Sequence, residues 1–207
     1  MKHYDRDYFD HWYRQHDIGQ RQRLIRKISL AVATAEYYLE RPIRTVLDIG
    51  CGEGAWRGPL LKLRPKLHYL GFDNSEYAIR RFGSRRNLYY ANFADFAQLR
   101  PCAPVDLLIC ADVLHYLPTA ELERGLPGLA ELCAGVAFLE TFTRDDDFDG
   151  DNEGFQSRSA TWYRNRFHKA GLTGVGSHCW LAPALADAAT VLESAATKRT
   201  RSGTSSI

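Results

Sequence analysis

The sequence predicts an α/β domain: a doubly wound, mostly parallel sheet of seven strands with helices on both faces and a helical lid at the N-terminus. Three observations carry this. From Thr45 onward, short apolar runs alternate with helix-like segments, the pattern of a parallel sheet covered on both sides. Several of these runs end in glycine or a carboxylate. The chain has 207 residues, 45% of them apolar and 12% aromatic, which at roughly 150 residues per domain supports one sizeable core and excludes a disordered chain. We divide it into an N-terminal helical or lid segment (1–40), the sheet domain (41–196) and a flexible tail (197–207).

The elements follow in order. Leu24, Ile25, Ile28, Val32, Ala35 and Leu39 recur at helical spacing with Arg21, Arg23, Arg26 and Lys27 mostly elsewhere on the wheel, and this helix ends before Pro42. Strands are expected at 45–49, 67–72, 87–91, 105–110 and 136–139, with a sixth run from Leu172 to Trp180. Helical segments at 120–134 and 159–170 precede the last two. Residues 182–196 are Ala-rich, which favours a C-terminal helix, whereas the architecture would welcome a closing strand there. Residues 4–14 are too polar for a core helix and too aromatic for a loose tail, and are expected to fold against the body.

Charge and cysteine usage narrow the class. The 27 basic and 25 acidic side chains leave +2, too small a surplus to indicate a protein that coats nucleic acid or a membrane surface. Residues 1–100 carry 18 basic and 11 acidic groups and residues 101–207 carry 9 and 14, so the halves bias the field in opposite directions. The five cysteines are odd in number and never spaced C-x-x-C, which implies neither a disulfide framework nor a zinc ribbon and fits a reducing, cytoplasmic compartment. No stretch of eighteen apolar residues occurs, so a soluble protein is expected.

The strongest local signal is Val46-Leu47-Asp48-Ile49-Gly50-Cys51-Gly52-Glu53-Gly54, a buried strand running into a loop with glycine at every second position. Such a loop lets backbone approach a ligand closely. Asp48 and Glu53 flank it, and two carboxylates would repel a pyrophosphate; the spacing is G-x-G-x-G and not G-x-G-x-x-G. A dinucleotide is therefore disfavoured, and a ligand bearing an ammonium group is welcome.

Over about residues 40–180 the chain resembles the class I S-adenosylmethionine-dependent methyltransferases, which place a glycine motif of this form after the first strand of a Rossmann-like sheet. Their cofactor is positively charged and carries no phosphate. The resemblance implies cofactor contacts from Asp48, Gly50, Cys51, Gly52, Glu53 and Gly54. It also implies Asp73, an acid ending the second strand that would accept both ribose hydroxyls, followed by Asn74; a helix N-cap is the alternative for Asp73. After the third strand, Asn92 and Phe93 occupy the place where the family often has an acid on the adenine amino group, with Asp95 as a substitute. At the end of the fourth strand, Ala111 to Pro118 resembles the segment between cofactor and acceptor. In the lid, Tyr8, Tyr13 and Arg14 would cover the adenosine or pair with its carboxylate.

His115, Tyr116 and Glu140 are the candidate bases for a hydroxyl or ammonium acceptor; His115 packing beneath the cofactor is the alternative. Thr141, Arg144 and Tyr163 would join the acceptor pocket. No Asn- or Asp-Pro-Pro-aromatic run follows the fourth strand, which argues against methylation of bases in nucleic acid. The acidic run 145–156 opens like a calcium loop but has Gln156 at its twelfth position, so a mobile acidic loop is expected and no metal. The reading is a methyltransferase acting on a small-molecule acceptor, with no nucleic-acid or membrane partner expected. A noncatalytic module binding S-adenosylmethionine or its demethylated product, or an NAD-dependent oxidoreductase, is the alternative.

Overall fold

The computed structural model describes residues 17–147 and 153–193. Tyr8, Tyr13 and Arg14, part of the acidic run and the tail lie outside these residues. In chain order the elements are α1 (Asp17–Leu39), β1 (Thr45–Ile49), α2 (Arg57–Leu63), β2 (His68–Asp73), α3 (Glu76–Arg86), β3 (Leu88–Tyr90), a 3-10 turn (Phe93–Ala97), β4 (Val105–Ala111), α4 (Thr119–Glu131), β5 (Cys133–Glu140), α5 (Ala160–Lys169), β6 (Thr173–Gly176), β7 (Cys179–Leu181) and a final 3-10 turn (Pro183–Ala188).

The seven strands form one sheet in the order β3-β2-β1-β4-β5-β7-β6. β1 pairs in parallel with β2 and β4, β2 with β3, and β4 with β5, while β7 runs antiparallel between β5 and β6. Because strand side chains alternate, each central strand feeds two cores. Leu47, Ile49, Leu108, Cys110, Ala137 and Leu139 join α4 and α5 on one face, with Leu122, Leu126, Leu129, Tyr163 and Phe167. Val46, Leu107, Ile109, Val136 and Phe138 join α1 and α2 on the other, through Ile28, Ala31, Val32, Ala35 and Leu60. The order reverses at β1, so the crevice outside the carboxyl ends of β1, β2 and β4 is the place where such a sheet binds ligands.

α1 is longer and more deeply seated than a lid: Ile28, Ala31 and Ala35 are wholly buried, although Ile25 of the predicted stripe is exposed. It ends where Glu40 turns left-handed (φ 53°) ahead of Pro42. α4 lies close against the turn after β3 because Gly125 and Gly128 face the carbonyls of Phe93 and Phe96, and a Cβ would stand 2.3 and 1.8 Å from those oxygens.

The structure corrects the C-terminal expectation. The sixth run is not one strand; it breaks at Gly176, Ser177 and His178, all left-handed (φ 91°, 47° and 64°), into the hairpin β6–β7. The hairpin supplies both remaining strands, with β6 at the sheet edge, and 182–196 forms neither a closing strand nor a C-terminal helix over its described part. Instead, Ala182 is buried and donates its N–H to the Gly135 carbonyl at 2.9 Å, and Pro183 opens the 3-10 turn.

Candidate cofactor and acceptor site

The loop after β1 turns left-handed at all three glycines, Gly50 (φ 75°), Gly52 (φ 53°) and Gly54 (φ 76°), a conformation L side chains disfavour. The Gly50 and Cys51 amides donate to the Phe72 carbonyl at 2.8 and 3.0 Å, which fixes the loop to the end of β2. Space matters as much as torsion: a Cβ on Gly50 would meet Val113 Cγ2 at 2.2 Å, and one on Gly71 would meet Cys51 Sγ at 2.9 Å.

Asp73 ties the loop to α3. One carboxylate oxygen accepts the Gly52 N–H at 2.7 Å and the other the Ser75 N–H at 2.8 Å. The N-cap of α3 is Ser75, whose hydroxyl accepts from Ala78 N–H at 3.2 Å, so the capping alternative for Asp73 does not hold. Each Asp73 oxygen keeps capacity for a further donor such as a ribose hydroxyl. Burial raises its pKa, against the pull of the Gly52, Ser75 and Asn74 amides. Asn74 itself is exposed.

Asp48 lies wholly inside, on the face shared with α1 and α2, where the Tyr69 hydroxyl donates to it at 2.6 Å. Burial pushes its carboxyl up to about 7; Tyr69 opposes this and Asp73 adds to it. Cys51 is buried, with its thiol raised for the same reason, and Glu53 and Gly54 complete the turn, the Glu53 carbonyl accepting from Arg86 at 2.5 Å. Sequence reading missed Tyr69. An acid within an apolar strand needs a polar neighbour, and the adjacent strand offers this hydroxyl.

Beyond β3, Asn92 is exposed at the head of the 3-10 turn, where Asp95 accepts its backbone N–H at 2.8 Å and its side-chain amide at 3.3 Å. Phe93 is buried beneath α4.

On the acceptor side, Ala111 ends β4 and Asp112 follows with φ 64°, its N–H donating to the Glu140 carbonyl at 3.0 Å. His115 is completely buried, its ring centre 4.1 Å from that of Tyr116, 5.4 Å from Phe142 and 5.7 Å from Phe155. Phe142 N–H donates to its Nδ1 at 3.4 Å, the Thr141 hydroxyl oxygen lies at the same distance from that nitrogen, and Nε2 is 3.5 Å from Asp112 Oδ1. Glu140 turns toward α1 and pairs with Lys27 at 2.5 Å.

Arg158, which sequence reading also missed, holds this segment in place. Its buried guanidinium donates to the carbonyls of Leu114 (3.3 Å) and Leu117 (2.6 Å), the Thr119 hydroxyl (3.0 Å) and the Tyr163 hydroxyl (3.4 Å), and lies over the Trp162 ring at 4.5 Å. Tyr163 is thus a core residue, 2% exposed, and not a wall of the acceptor pocket. Arg144 is exposed and faces Asp145 at 3.6 Å. Among the described residues no group of three or more His, Cys, Asp or Glu could hold a metal, and no helix is long and apolar enough to cross a membrane.

Sheet order, glycine loop and strand-end acid together define an α/β domain with a ligand crevice at the carboxyl ends of β1, β2 and β4. Residues 47–136 match the family model of a methyltransferase domain. The trans-aconitate 2-methyltransferase of Azoarcus sp. (strain BH72) is 34% identical over 76 residues, 36% of this chain and 29% of that protein, so the chain spans well under half of the curated relative's length. Magnesium protoporphyrin IX methyltransferase from Synechocystis PCC 6803 shares the fold at TM-score 0.58 and 23% identity, over 84% of this chain and 90% of that one. An amino pentose methyltransferase from Micromonospora echinaspora superimposes at TM-score 0.62 with 14% identity, over 83% and 98%. The matched stretch runs from β1 into β5, and the fold around it is the one these methyltransferase structures share.

Proposed function

We propose that the protein transfers the methyl group of S-adenosylmethionine in line to a small-molecule acceptor. One observation supports this above the others: a cradle of left-handed glycines is tied through Gly52 to the Asp73 carboxylate and bordered by Asp48 and Glu53, acids that favour a cationic nucleoside without phosphate. When bound, the cofactor supplies an activated methyl group on a sulfonium. Gly50, Cys51, Gly52, Glu53 and Gly54 give it close backbone approach, Asp48 lies beneath them, and Asp73 with Asn74 takes the ribose. Asn92, Phe93 and Ala111 flank the adenine.

The chain's contribution to the step is alignment, which can supply several kcal/mol without chemical assistance. Tyr116 borders the acceptor, with His115 behind it. Glu140, held by Lys27, steadies the end of β5. The name of the curated relative, which methylates trans-aconitate, favours a small molecule over a macromolecule.

Two measurements test this. Incubation with methyl-labelled cofactor and a mixed set of small molecules, proteins and nucleic acids should label a small molecule; label confined to a macromolecule contradicts the reading. Asp73→Ala should weaken cofactor binding by about 1–3 kcal/mol, through loss of charge-assisted hydrogen bonds, and unchanged affinity in calorimetry removes Asp73 from the ribose site.

A further inference from the structure

We propose that the outer face of α3 and the edge strand β3 dock single-stranded nucleic acid, with phosphates on Arg80, Arg81 and Arg85 and a base on the ring of Tyr90. This goes beyond the methyltransferase reading and does not depend on it. The whole-chain balance of +2 conceals a local field: from Glu76 to Tyr90 four arginines stand against one acid, with no Asp, Lys or His between them.

Arg80, Arg81 and Arg85 are exposed, and helical spacing puts Arg81 and Arg85 on one stripe of α3 with Arg80 beside it. Among the described residues neither these three nor Arg86 has an acidic partner, whereas Arg41, Arg64, Arg100 and Arg166 each pair with an Asp or Glu. A patch of one sign left unneutralised raises the local concentration of anions. Rings already order two of the cations: Arg81 stands 5.8 and 5.4 Å from the ring centres of Tyr77 and Phe82, and Arg86 lies 4.1 Å over Phe82.

β3 ends the sheet on this side, and α3 lies directly on it, since a Cβ on Gly83 would stand 3.0 Å from the Leu88 carbonyl oxygen. Leu88 is buried on that side with Ile79 and Phe82, and Tyr90, two residues on, projects to the same face. Tyr90 is 52% exposed and Tyr89, on the opposite face, 50%; between residues 76 and 90 no other large apolar side chain is so exposed. A membrane surface calls for exposed aliphatic side chains beside the cations, and a protein partner for an apolar core to the interface. This face offers guanidinium groups and flat rings, the combination that tracks a phosphate backbone and stacks unpaired bases.

Fluorescence anisotropy on the full chain tests this, with labelled oligouridylate and oligothymidylate of about 12 nucleotides as the RNA and DNA probes. Saturable binding of at least one is expected, with log K falling against log salt at a slope of about −2, as three phosphate contacts on a single strand require. Arg80→Gln, Arg81→Gln and Arg85→Gln together should weaken binding roughly tenfold or more and flatten the slope, with Tm unchanged, whereas the three lysine substitutions should keep the slope. Tyr90→Leu should weaken binding about fivefold or more, and Tyr90→Phe should leave it intact. No saturable binding by wild type at low salt, an unchanged slope in the glutamine variant, or equal affinity for a duplex overturns the proposal. Polyglutamate or phosphatidylserine vesicles binding as tightly as the oligonucleotides also overturn it, in favour of an acidic protein or a membrane surface.

Discussion

Asp48 sets the pH behaviour of the unliganded fold. Its carboxyl is pushed up to about 7 by burial, against about 3.9 in an unfolded chain, so between these values the native state holds a proton that the unfolded state has released. Its stability contribution is therefore greatest below about pH 4 and is lost as pH rises through 7, by up to about 4 kcal/mol. Asp73, raised in the same direction by burial, adds to this slope. Urea unfolding of wild type at pH 5 and pH 8 should show the loss, and Asp48→Asn should flatten it; equal slopes for the two proteins contradict the assignment. The acids paired with arginine act oppositely. Asp106 is buried, yet Arg41 at 2.6 Å and the Arg44 and Thr45 amides outweigh that burial and lower its pKa, so its contribution is lost on acidification.

At the scale of elements, the loop 112–118 depends on one guanidinium. Arg158 satisfies two carbonyls and two hydroxyls and stacks on Trp162, and a planar fork is needed to reach them together. Arg158→Lys should cost about 2–4 kcal/mol in unfolding free energy, because buried acceptors lose their donors. It should lower kcat more than it weakens cofactor binding; equal stability would show that the loop holds itself. This brace was not legible in the sequence, because 40 or more residues separate Arg158 from the carbonyls of Leu114 and Leu117, and no periodicity marks it. The glycine loop and Asp73 were legible, since both depend on residues adjacent in the chain. The β6–β7 hairpin was hidden because Ser177 and His178 adopt left-handed torsions that their residue types do not advertise. His115 stands just past the end of β4, but its burial depends on Phe142 and Phe155, which a single strand pattern cannot place.

At the scale of the molecule, two cores clamp a sheet whose central strands are apolar on both sides, and the ion pair Lys27–Glu140 joins α1 to the site-bearing end of β5. Ligand binding in the crevice of such a body should stabilise the whole by linkage, about 2.7 kcal/mol at a hundredfold excess over Kd. The central claim is that acids around a glycine loop select a cationic, phosphate-free nucleoside. Calorimetric titration of the protein with S-adenosylmethionine and, separately, with NAD decides it. The account predicts saturable, one-to-one binding of S-adenosylmethionine and no heat from NAD; tight NAD binding with no response to S-adenosylmethionine would contradict it.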